Sequence, residues 1–102
     1  MDAAESAYEE GLAIAWDAGL DRLICYGLAG LAAVAAERGA TERAARLWGF
    51  VEADEERLQF TLRGRELYER RLAELAGTPS YDEGRTLDVS EVVEIVRASR
   101  RS

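Results

Sequence analysis

The sequence predicts an all-α fold built of antiparallel helical hairpins, and three observations predict it. A single proline and no sustained alternation of β-branched residues leave little from which to build strands. Apolar residues recur at spacings of three and four, the period of a helix face. Glycines at 19, 39 and 77 stand just past the ends of periodic segments, where helices close in a left-handed conformation. With 102 residues the chain is read as a single domain, 1–102, large enough for one core and too small for two.

The first helix is expected over 3–18, with 1–20 forming one helix of a truncated repeat. Tyr8, Leu12, Ala15 and Trp16 follow one side, while Ala7, Gly11, Ile14 and Ala18 line another, so its second half is apolar on more than one face. Six carboxylates and no base precede Arg22. The early ones oppose the positive end of the helix dipole, and the set reads as a solvated acidic face.

The stretch 23–36, LICYGLAGLAAVAA, has no charge in a chain that is 32% charged. It falls short of the roughly 18 apolar residues needed to cross a bilayer, so it reads as a buried helix, with no membrane partner. Ile24, Leu28, Leu31 and Ala35 make one face, and Gly27, Gly30 and Val34 a second. Two glycines cost such a helix about 1 kcal/mol each relative to alanine, which points to a closely approaching neighbour.

A short turn at 38–41 leads into a third helix, 41–58, with Thr41 as its expected cap. Ala44, Leu47, Trp48, Val51 and Leu58 form its inward stripe, and Arg43, Arg46, Glu52, Asp54, Glu55 and Glu56 are expected largely outside. Helices joined this tightly pack antiparallel, so 21–58 is read as one hairpin. A bend is expected at 59–64, then a fourth helix, 62–77, with Tyr68, Leu72 and Leu75 inward and a Glu66 to Arg70 pair outward.

The remainder, 78–102, is read as a C-terminal cap ending in a short helix. Thr78 and Pro79 suit a helix cap and first helical position, opening a single turn that closes at Gly84. Asp88 stands three residues before Glu91, and Leu87 can pack on Val92, the pattern of a capping box with a hydrophobic staple. Val92, Val93, Ile95 and Val96 supply the apolar side of this last helix. Arg97, Arg100 and Arg101 complement its negative end.

Composition removes several function classes. A net charge of −7 and a pI near 4.6 oppose binding to a phosphate backbone, so no direct nucleic-acid partner is expected. The chain has no histidine, which takes away the commonest general base and metal ligand; no catalytic residue, cofactor or metal site is assigned and no enzyme is expected. Pairs such as Glu5 with Glu9 or Glu52 with Glu56 read as solvated charges. Cys25, the lone cysteine, lies inside the uncharged stretch, where a thiol is inert. With no secretory leader in the acidic start, a reducing cytoplasmic location is expected.

The central and third helices also carry the spacing of a tetratricopeptide-like (TPR-like) repeat of about 34 residues. Its positions are Leu28, Leu31 beside Ala32, Ala35, the turn at Gly39, Ala44, Trp48 and Val51. The wording of 11–53, and above all Arg38-Gly39-Ala40-Thr41-Glu42-Arg43-Ala44-Ala45-Arg46-Leu47 followed by Gly49, resembles the C-terminal helical-repeat segment of large bacterial transcriptional regulators of the LuxR and SARP types. The likeness continues in Glu83-Gly84-Arg85-Thr86-Leu87-Asp88 before the final helix. The piece from Gly77 to Glu83 is shorter than in that pattern, and the chain has no lysine and no Walker-type loop. The ATP and DNA activities of such regulators are therefore not carried over.

The resemblance implies a non-catalytic regulatory module that binds a protein partner. The alternative is a small-molecule inducer pocket between helices. The residues singled out for either role are Ile14, Trp16, Tyr26, Gly27, Gly30, Phe50 and Phe60, with the two phenylalanines expected to be the most exposed of the aromatics. Because the first helix keeps apolar residues on an unpaired side, a homodimer through that helix and the Gly27 and Gly30 face is expected, with Glu5, Glu9 and Glu10 at its rim.

Overall fold

Helix punctuation sets the architecture. The computed structural model describes the backbone of residues 3–101 and the side chains of residues 7–98. Among these it has α1 (Ala3–Ala18), α2 (Asp21–Glu37), α3 (Thr41–Leu58), α4 (Arg65–Leu72), α5 (Pro79–Arg85) and α6 (Val89–Arg101), with a 3-10 turn at Ala73–Leu75 and no strand. The all-α class is as the periodicity predicts. Gly19, Gly39 and Gly77 all take positive φ, from 69° to 87°, and end the segments they follow.

The uncharged α2 is the centre of the packing. α1, α3 and α4 all pack against it, which leaves Cys25, Leu28, Ala29 and Ala32 without exposed surface. α3 is covered on two sides, by α2 and by α5. On the α5 side the two backbones nearly touch. A methyl group added at Gly49 would stand 2.2 Å from the Tyr81 carbonyl oxygen, and one at Gly84 would stand 2.0 Å from that of Arg46. Leu12, Val92, Val93 and Val96 complete the core. The radius of gyration, 12.1 Å, is close to the roughly 13 Å of a compact domain this long.

Several expectations are corrected. Thr41 is the first residue of α3 and not its cap; Ala40 occupies the junction, its N–H bonded to the Ala35 carbonyl at 2.9 Å. The fourth helix covers 65–72 rather than 62–77, because the Leu62 N–H is taken at 2.7 Å by the Glu55 carboxylate and Gly64 turns left-handed at φ 73°. Its i, i+4 pair is Arg65 with Glu69, 3.4 Å apart. The turn expected to close at Gly84 is a seven-residue helix that runs through it, since the missing side chain lets α5 seat on α3. Asp54 and Glu55, expected outside, are buried at 3% and 8% exposure, and Glu9, read as a solvated charge at a dimer rim, is buried at 7%.

Local signals at the C-terminal end hold. The Thr78 hydroxyl accepts from the Tyr81 N–H at 3.2 Å. Asp88 accepts from the Glu91 N–H at 2.9 Å while the Glu91 carboxylate accepts from the Asp88 N–H at 3.0 Å, which is the reciprocal capping box. These bonds hold the Asp88 carboxyl below its ordinary pKa, the Glu91 N–H contributing most. The contributions expected from the side chains of Glu5, Arg100 and Arg101 lie outside the described residues.

Candidate interaction groove

Three helices meet around a shallow apolar groove of about 430 Å³, with α2 as its floor and α1 and α4 as its walls. Tyr8, Gly11 and Ile14 come from α1, Leu23 and Tyr26 from α2, and Tyr68 from α4. Tyr8 and Tyr68 also line a second depression beyond it, with Ala33, Leu67, Arg70 and Arg71. Among the described residues the large apolar side chains left most open are Ile14 (67% exposed), Leu67 (68%), Leu23 (51%) and Leu20 (45%); Ile14 and Leu23 line this groove, Leu67 the depression beyond it, and Leu20 a third that shares Leu23 with it. Scattered exposed apolar residues need no explanation, but clustering at one concavity is the pattern of a contact surface.

The groove is shaped by fixed side chains. The Tyr26 hydroxyl accepts a hydrogen bond from the Arg63 N–H at 2.7 Å, tying the floor to the segment that leads into α4. The Tyr8 ring lies against the Cα of Gly30, in space that a side chain there would fill. Tyr68 packs beside Trp48, ring centroids 6.5 Å apart, and burial raises the pKa of its phenol. The edges differ in charge. Glu10 and Asp17 stand exposed on the outer side of α1, Arg70 and Arg71 on α4, and Arg71 pairs there with Glu37.

Of the residues singled out from the sequence, the fold gathers Ile14, Tyr26 and Gly27 at this groove. Gly27 lies beneath it, where an added methyl group would touch Leu12 at 3.4 Å, and Gly30 is covered by Tyr8. The face proposed for these two glycines in a dimer is thus occupied by the chain's own first helix. Trp16 is half-buried against the core. Phe50, expected to be exposed, is 2% exposed because α3 is covered on two sides. Phe60 lies elsewhere, half-buried with the Arg22 guanidinium 5.4 Å from its ring centre. Sequence reasoning missed Leu23, Tyr68 and Leu67 as groove residues; Leu67, an aliphatic that stands off the Tyr68 and Leu72 side of the charged Arg65–Leu72, was the available signal.

Phe60 borders a polar cavity of about 300 Å³ on another side of the molecule. There Arg65 binds both Glu52 and Glu55 and stacks over the Trp48 ring, 5.3 Å from its centre. The Tyr81 hydroxyl donates to Glu52 at 2.6 Å, and Arg85 reaches Tyr81 and Glu56. Glu52 and Glu56, read as a solvated pair, therefore bind separate partners that fasten α4 and α5 to α3. Burial, then the Glu52 carboxylate, raises the pKa of the Tyr81 phenol.

A further polar contact lies in the interior. The Cys25 thiol donates to Asp54 at 2.9 Å, and Asp54 also pairs with Arg57. Burial, and secondarily the Glu55 and Asp21 carboxylates, push this thiol up to about 12, so it stays protonated and unreactive at neutral pH. Among the described residues no group of three His, Cys, Asp or Glu is placed to hold a metal ion, and no helix is long and apolar enough to cross a membrane. No protein-family model, curated protein or solved structure matches the chain.

Proposed function

We propose that this protein is a non-catalytic helical interaction module, a TPR-like sensory segment of a bacterial transcriptional regulator that works in the cytoplasm. The observation that carries the interaction role is the groove, which the open aliphatic side chains of Ile14 and Leu23 line, with Leu67 and Leu20 exposed in the depressions that adjoin it. The regulator setting rests on the sequence resemblance. One packing feature supports the repeat reading: α2 and α3 form a short-linked, closely packed pair flanked by α1 on one side and α5 on the other. The buried thiol of Cys25 and the absence of histidine support a role without catalysis, and a single free cysteine suits a reducing compartment.

The test is titration of the folded chain with an apolar fluorescent dye and a panel of amphipathic helical peptides, alongside Leu23→Glu. Saturable binding that Leu23→Glu removes is expected. If no peptide binds and the dye response is indifferent to Leu23, the interaction reading fails.

A second reading, an inducer pocket, is favoured by the volume of the groove, which lies within the ~300–1,000 Å³ of small-molecule sites, and by its three tyrosines. A ligand of that kind would raise the unfolding temperature progressively with the logarithm of its concentration above its Kd. Screening small aromatic and amphipathic compounds by thermal shift separates this reading from the first.

A further inference from the structure

We infer that the groove is the contact face of a symmetric dimer, in which a second copy of this chain lies face to face with the first and α1 of each packs over α4 of the other. The inference rests on the interaction reading above and names its partner. It also replaces the dimer expected from the Gly27 and Gly30 face, which α1 already covers.

Two observations carry it. The first is self-complementary shape. The same face presents projecting side chains, Ile14 on α1 and Leu67 on α4, and beside them a hollow whose α1 wall is cut back at the small residues Gly11 and Ala15. A two-fold contact requires one patch to fit itself, projection to hollow and hollow to projection. The second is charge. The α1 edge is acidic at Glu10, and the α4 edge is basic at Arg70 and Arg71.

The direction of the symmetry axis follows from these edges. Rotation about an axis running along the groove carries the α1 edge of one copy over the α4 edge of its partner and brings Leu23 over its counterpart. Such a rotation leaves the level along the groove unchanged. Tyr8 lines both the groove and the depression that holds Leu67, Arg70 and Arg71, so the first half of α1 lies level with that part of α4. Glu10 of each copy then faces the partner's Arg70, twice over. A two-fold axis lying in the face but running across the groove would instead set like edges together, and each copy carries a net charge of −7. Complementary edges are what fix such a register.

Sedimentation velocity of the full chain across the micromolar range, with three variants, tests the proposal. The wild type is expected to dimerise, and Leu23→Glu to be monomeric with an unchanged helical circular dichroism spectrum, since Leu23 is half open to solvent. Glu10→Arg and Arg70→Glu should each weaken self-association by about tenfold, because a two-fold axis counts the reversed contact twice. Mixed in equal amounts, the two should recover a heterodimer of wild-type affinity, as the arginine introduced in one copy then meets the glutamate introduced in the other; misfolded variants would not rescue each other. A wild type that stays monomeric overturns the dimer, and so does a wild-type dimer whose charge variants fail to rescue each other. A monomer that still binds peptide or dye in a Leu23-dependent way overturns the dimer alone, leaving the interaction reading standing.

Discussion

Alanine in place of glycine should have opposite signs at two helical positions of this protein. At Gly49, in the middle of α3, alanine gains about 1 kcal/mol of helix propensity. Its methyl group would, however, stand 2.2 Å from the Tyr81 carbonyl oxygen, where ordinary contact begins near 3.4 Å. Backbone cannot rotate aside, so α5 must retreat by about an ångström, and a gap of that size forfeits a quarter to a half of each dispersion contact it opens. The retreat also strains the 2.6 Å bond between Tyr81 and Glu52, worth about 1.5–3 kcal/mol as a bond to a charged group. Overpacking of this kind costs about 1–3 kcal/mol; with roughly 1 kcal/mol more for the strained bond, which offsets the propensity gain, a net loss of about 1–3 kcal/mol remains. At Gly11, where an added methyl meets nothing within 4 Å, the propensity term stands alone and alanine should stabilise by about 0.5–1 kcal/mol. Thermal unfolding separates the two cases, at about 4–8 °C per kcal/mol for a domain of this length. A Gly49→Ala protein as stable as wild type would refute the close crossing of α3 and α5.

Four further outcomes are expected. Trp48→Ala should cost about 3–5 kcal/mol and Leu31→Ala about 2–5 in urea denaturation, as both sites are 1% exposed and would be left as cavities. Arg65→Ala should cost about 3 kcal/mol by stranding Glu55 and Glu52, and Arg65→Lys should recover little, since a point charge cannot fork between two carboxylates. Because the Cys25 thiol is raised from 9.0 to about 12 in the folded protein, the unfolded chain loses its proton first. Stability should be full below pH 9 and fall as the pH climbs towards 12, with a shallower fall in Cys25→Ser and no reaction of the native thiol with disulfide reagents at pH 8. With a net charge of −7, the protein should give no mobility shift with duplex DNA at physiological salt; sub-micromolar binding would contradict the charge argument.

What the sequence revealed was mostly what short-range chemistry determines. The starts and stops of α1, α2 and α3, the Thr78 cap and the reciprocal box of Asp88 and Glu91 depend on residues within four positions of one another. Asp54 and Glu55 were misread for the complementary reason. Periodicity places an acid outside unless its partners are known, and theirs include Cys25, 29 residues back, and Arg65, 10 residues on. The crossing of α3 and α5 was hidden because Gly49 and Gly84 declare themselves only as a pair. The groove was half legible: Ile14 and Tyr26 sit where helix periodicity leaves apolar residues off the main stripe. Its α4 wall was not, because Tyr68 and Leu67 lie in a helix dominated by charge.

The contacts on the two sides of the molecule differ in stiffness. Where α3 meets α5, backbone lies on backbone at Gly49 and Gly84, and no side chain stands between them to change rotamer. Those two helices can move only as one body. α4 is joined differently, through the far ends of Arg65, Tyr68 and Leu72. A displacement of α4 by an occupant of the groove would therefore be passed on through the Arg65 fork, to the carboxylates of Glu52 and Glu55 on α3.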